Sequence, residues 1–157
     1  MKATALSHFR RSGVGKILSE DVTTGTVPMC WCFHCYAVND HPAGPCDACG
    51  EPVEAPAGLT WTGGLIWALH HPDGDRAVLA ADALGRLRAR EAVPALRGAV
   101  EGGNDIYLRA AALCSLIAIE GAESLRSWLD ELRKAAPFNV RAIARRALEE
   151  AAINDAR

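Results

Sequence analysis

The chain has 157 residues, of which half are hydrophobic and 23% charged, and its formal net charge is −2. That much apolar material can bury a core, so the composition excludes a disordered chain, and the near-balance of charge excludes a single-sign surface field. Charge is unevenly distributed along the chain. Residues 1–29 carry Lys2, Arg10, Arg11 and Lys16 against Glu20 and Asp21. Residues 30–58 carry Asp40, Asp47, Glu51 and Glu54 with no Lys or Arg, and the remainder balances. No run approaches the roughly 18 uncharged apolar residues of a membrane span, and after Lys2 the residues His8, Arg10 and Arg11 interrupt any secretory apolar run. A soluble, cytoplasmic protein with no membrane partner is expected. In a reducing compartment, cysteines clustered as Cys30, Cys32, Cys35, Cys46 and Cys49 point to a metal site before a disulfide framework.

Residues 1–29 read as an N-terminal arm. Leu6 and Phe9, then Val14, Ile17 and Leu18, give two short amphipathic turns broken at Gly13 and Gly15. A solvated arm folded onto its neighbours is expected, with a phosphate-binding arm as the alternative. The β-branched run Thr23-Thr24-Gly25-Thr26-Val27 suits a short strand leading into the cysteines.

Residues 30–58 form a module and its linker. The pattern C-x2-C, ten residues, C-x2-C presents two tight turns, each aiming a pair of sulfurs at a common ion, and two such turns supply a tetrahedral set with bonds of ~2.3 Å. Cys32, Cys35, Cys46 and Cys49 are the expected ligands. Cys30 is an alternative to Cys32, although a C-x4-C pair makes a poorer turn, and His34 and His41 are further candidates. The expected ion is structural Zn2+ in preference to iron in an all-sulfur site. Four sulfurs close the shell, leaving no position for water or substrate. The pattern resembles the zinc-ribbon family over residues 27–55, with Gly50 after the second pair and Tyr36 where the first would carry glycine. Four prolines and few large apolar side chains between residues 36 and 58 leave little to bury, so ion binding is expected to supply the folding free energy.

Residues 59–72 predict a capping helix: Thr60 or Thr62 at its start, apolar Leu65, Ile66, Trp67 and Leu69, and Pro72 as its stop. His70 and His71 fit a helix C-terminus better than a metal or catalytic site. Over 73–157 the sequence overlays itself at an offset of 32, which brings Asp73 onto Asp105, Leu84 onto Leu116, Leu87 onto Ile119, Leu96 onto Trp128, and Arg109 onto Arg141. Such a period predicts stacked helical hairpins. Ala77, Ala80, Ala81, Leu84 and Leu87 form one inward stripe, and Val93, Leu96, Ala99 and Val100 the next, after a turn near Arg88 to Glu91. Pro94 fits the first turn of the second helix. Leu108, Ala112, Leu116 and Ile119, then Leu125, Trp128, Leu129 and Leu132, repeat the design beyond Gly102-Gly103. A last helix turns Val140, Ile143, Ala144, Ala147, Leu148 and Ala151 inward. Cys114 reads as a small buried hydrophobe and Trp128 as core.

The phrases Arg76-Ala77-Val78-Leu79-Ala80-Ala81-Asp82-Ala83-Leu84-Gly85-Arg86-Leu87 and Glu91-Ala92-Val93-Pro94-Ala95-Leu96 resemble HEAT repeats of the phycobilisome-lyase-like subclass, over residues 73 to about 152. The fold class expected is therefore mostly α: a short HEAT-like α-solenoid preceded by a small zinc-ribbon module. The resemblance implies a curved stack whose second helices line a protein-binding face. On those helices Arg97, Glu101, Arg126, Asp130 and Lys134 are the candidate partner surface. Some members of the subclass ligate bilin chromophores, but no motif here carries that activity over.

Three function classes compete. The first is a non-enzymatic adaptor or scaffold binding another protein, in keeping with the absence of a phosphate loop, nucleophile elbow or catalytic metal motif. The second is nucleic-acid binding, with Trp31, Phe33 and Tyr36 stacking on bases, disfavoured because the cysteine segment is acidic. The third is a lyase or redox enzyme using Cys30 as an extra thiol.

Overall fold

The computed structural model describes residues 30–156; the basic cluster of residues 1–29 and the strand expected at Thr23 to Val27 lie outside the described residues. Two short strands open the fold. β1 (Cys30–Trp31) and β2 (Val38–Asn39) pair antiparallel, Cys30 opposite Asn39 and Trp31 opposite Val38. The helices follow as α1 (Trp61–Ala68), α2 (Gly74–Arg86), α3 (Val93–Gly102), α4 (Ile106–Glu120), α5 (Arg126–Ala135) and α6 (Phe138–Asp155). None of them is long and apolar enough to cross a membrane.

Side-chain caps explain where several helices start. Thr60 Oγ1 accepts the Gly63 N–H at 3.0 Å and begins α1. Asp73 begins α2 by accepting from Asp75 N, and Asp105 begins α4 by accepting from Tyr107 N at 2.7 Å and Leu108 N at 3.2 Å. The two aspartates occupy equivalent places in the 32-residue repeat and do the same work, worth about 1 kcal/mol apiece. Pro94 sits in the first turn of α3, where its missing N–H costs little, and α3 stops at Gly102.

The helices stack as hairpins into a short solenoid. α1 packs on α2, α2 on α4 and α4 on α6, while α3 lies against α4 and α5 against α6. Leu84, Leu96, Val100, Leu113, Leu116, Leu125, Leu129 and Val140 are wholly or almost wholly buried and fill one continuous core. The tightest approach lies between α2 and α4. A Cβ on Gly85 would fall 2.9 Å from the Cα of Ser115, whose hydroxyl donates to the Ala81 carbonyl at 2.8 Å. Glycine is therefore required at 85 by a neighbouring backbone, and the Ser115 hydroxyl, buried between the two helices, finds a partner there.

Two inward assignments are corrected. Leu87 is 55% exposed, because α2 ends at Arg86 and the backbone turns left-handed at Arg88, with φ of 50°, before the stripe completes another turn. Its counterpart Ile119 stays buried because α4 runs on to Glu120. Cys114 is exposed, since the buried face of α4 is set by Leu108, Ala112, Leu113, Ser115, Leu116 and Ile119. Partial desolvation still raises its thiol pKa.

Candidate metal centre and the joint it builds

Two turns of the same construction carry the cysteines. In the first, Cys32 N donates to Ala37 O at 2.8 Å, Tyr36 N to Cys32 O at 3.0 Å and His34 N to Cys32 Sγ at 3.3 Å. In the second, Cys46 N donates to Glu51 O at 2.8 Å, Gly50 N to Cys46 O at 2.8 Å and Ala48 N to Cys46 Sγ at 3.4 Å. Each turn must pass through a positive φ after its second cysteine, 63° at Tyr36 and 77° at Gly50. Glycine takes that conformation freely; a tyrosine takes it at a cost.

The turns bring Cys32, Cys35, Cys46 and Cys49 together, all four Sγ atoms within 4.8 Å of one another. Two of the edges, Cys32 to Cys49 and Cys35 to Cys46, measure 3.7 Å. A disulfide would need ~2.05 Å, whereas a tetrahedral ion with ~2.3 Å bonds to sulfur has edges of ~3.8 Å. The separations thus suit a four-coordinate cation and not a sulfur–sulfur bond. Asn39, 2% exposed, ties the turns to each other: its Nδ2 donates to Ala37 O at 2.9 Å and its Oδ1 accepts from Asp47 N at 3.1 Å. Val53 is buried beside Cys32 and Cys46 as the module's small apolar floor.

The electrostatics fit a metal site. The Cys49 N–H, with those of Ala48 and the Asn39 side chain, stabilises the Cys46 thiolate and lowers its pKa to about 6. At Cys49 the Glu51 N–H works in the same direction, but burial and three adjacent sulfurs outweigh it and push the thiol up to about 12. Cys35 is also raised: the Ala37 N–H opposes, and burial with the Cys46 and Cys32 sulfurs prevails. Cys46 ionises readily while Cys35 and Cys49 resist, because adjacent thiolates repel unless a cation lies among them. Cys30 sits in β1 opposite Asn39, outside this group, as does the exposed His34. His41 Nδ1 lies 3.0 Å from Ala43 O, and its other nitrogen lies 3.8 Å from Asp47.

The module is not a free appendage. Trp67 of α1 is held between two rings of the first turn: Phe33 at 4.5 Å and 11°, and Tyr36 at 4.6 Å and 19°. Trp67 Nε1 donates to Phe33 O, and Tyr36 Oη donates to Trp67 O at 2.7 Å. Trp31 packs on His71 with centroids 4.7 Å apart. His71 is buried and its Nδ1 accepts the Asp73 N–H at 3.0 Å, so its role is to join α1 to α2. Trp31, Phe33 and Tyr36 thereby each have a ring partner within the chain. Sequence reasoning missed this joint; its one visible sign was tyrosine in a glycine position.

The profile of the HEAT-repeat family matches residues 63–150. The chain belongs to this family. Comparison with curated proteins and with solved structures gave no match. The HEAT match begins within α1, consistent with that helix packing on α2 as the array's first layer. On the second helices of the HEAT hairpins, Arg97 reaches Glu120 at 3.3 Å and lies 4.9 Å over the Trp128 ring, whose Nε1 donates to Glu101 at 3.2 Å. Arg126 bonds Glu123 and Asp155, Asp130 accepts from Arg133 at 2.6 Å, and Lys134 is exposed. The first two residues and Trp128 form one cluster across α3 and α5; Arg126, Asp130 and Lys134 are spread along α5.

Proposed function

We propose that the protein is a non-enzymatic adaptor in which a zinc ion, held by Cys32, Cys35, Cys46 and Cys49, shapes a small ribbon that closes one end of a HEAT array. The observation that carries this reading is the clasp on Trp67: both stacking rings come from the turn that holds Cys32 and Cys35, so an ion at the sulfurs fixes the end of the array. When bound, zinc would supply architecture, since four thiolates leave no open coordination position. HEAT arrays generally serve as protein-interaction scaffolds, and the face bearing Arg97, Glu101, Arg126, Asp130 and Lys134 is the candidate for a protein partner. The cysteine usage fits a reducing compartment such as the cytoplasm. Phrase-level likeness to the phycobilisome-lyase-like subclass supports the adaptor reading without a chromophore.

Affinity capture of the metal-loaded chain with cross-linking, from native lysate, tests this. A stoichiometric partner protein whose capture weakens in Arg97→Glu supports the reading. Recovery of the chain alone, or of nucleic acid released by salt, contradicts it.

A further inference from the structure

Ribbon and array meet along a groove. Three cavities, of about 690, 490 and 500 Å3, all touch Phe33; the first two share Ala55, and the last two share Leu65 and Trp67. The first is lined by the module alone, while the other two lie between the module and α1 and α2, so the three adjoin around Phe33 as one groove. Its margin holds large side chains that the fold leaves in solvent: Trp61, 77% exposed, and Leu79, 67% exposed. Exposed apolar groups in one place mark a surface that another molecule covers. Charge indicates what kind of molecule. Glu51 and Glu54 line one end, and between residues 30 and 75 the chain has six acids and no Lys or Arg. Among the described residues, the Lys or Arg lining these cavities is Arg76, held by Asp73 at 3.3 Å.

We propose that this groove docks a peptide segment of a partner protein that presents apolar side chains with Lys or Arg beside them. The inference rests on the adaptor reading and gives it a second surface, one that Arg97 does not line. Apolar side chains enter the channel against Phe33, Leu65 and Trp67, and the cations settle at Glu51 and Glu54. Partner choice comes from that charge, because an acidic segment of equal hydrophobicity is repelled there.

The probe is a synthetic Leu/Lys amphipathic peptide of about fourteen residues, with its Leu/Glu counterpart as control, titrated into the full metal-loaded chain and followed by tryptophan fluorescence. The expected result is saturable binding of the Lys peptide, falling with salt, and none of the Glu peptide. Glu51→Lys with Glu54→Lys, and separately Leu79→Asp, weaken binding about tenfold, while Glu131→Lys on α5 leaves it unchanged. Unchanged metal content in each variant keeps the test on the groove. Equal binding of the two peptides, or binding indifferent to the groove substitutions, overturns the proposal. So does photo-cross-linking that places the chain's own residues 1–29 in the groove. Capture of a partner that survives every groove substitution but is lost in Arg97→Glu also overturns it, and leaves the adaptor reading intact.

Discussion

Tyr36 shows what a single side chain contributes at this joint. Its backbone takes a left-handed φ of 63° that costs a non-glycine residue about 1 kcal/mol. Its ring and hydroxyl offset that cost by stacking on Trp67 and donating to the Trp67 carbonyl. Burial raises the phenol's pKa and keeps it a donor. Tyr36→Phe retains the stack and loses one hydrogen bond, so it lowers unfolding free energy by about 1 kcal/mol with metal content unchanged, as urea denaturation with metal analysis will measure. Trp67→Ala removes both stacks and costs about 3 kcal/mol in the same assay. The cysteine spacing made the sulfur cluster legible from sequence. The stack was not, because nothing local to Phe33 or Tyr36 encodes a partner more than thirty residues away.

At the scale of helices, the offset of 32 residues places Asp73 and Asp105 at equivalent starts, and this much can be read from the chain because caps are local chemistry. Helix ends are harder. Leu87 continues the apolar stripe on paper, yet the turn at Arg88 carries it outward, and Cys114 lies on a face of α4 that looks apolar from the sequence but is left uncovered. The contact of α2 with α4 gives a discriminating pair of substitutions. Gly85→Ala forces a methyl against the Ser115 backbone and lowers stability by about 1–3 kcal/mol. Gly98→Ala, in α3 with open space around it, raises stability by about 0.5–1 kcal/mol. Thermal unfolding followed by far-UV circular dichroism orders the three proteins as Gly98→Ala, parent, Gly85→Ala; similar midpoints for both variants would contradict the packing described.

For the molecule as a whole, the cysteine module and the array are expected to stay joined only while the sulfurs are organised. Residues 36–58 have little to bury, whereas the helices share a continuous core. Chelation of the ion is therefore expected to release amide protection over residues 30–55 and to shift Trp67 fluorescence, while α2 to α6 keep most of their helical signal. Hydrogen exchange with and without chelator measures this, and loss of protection throughout the array would show that the two parts fold together. Rebinding at pH 7 should release protons, because Cys35 and Cys49 hold theirs until a cation arrives. The central claim is that four particular sulfurs hold one ion, and X-ray absorption on the purified chain with metal quantified per polypeptide tests it most directly. One zinc per chain with four sulfur neighbours at ~2.3 Å is the expected result. A metal-free chain with these cysteines as disulfides or titratable thiols, or a shell containing nitrogen from His34 or His41, would contradict it.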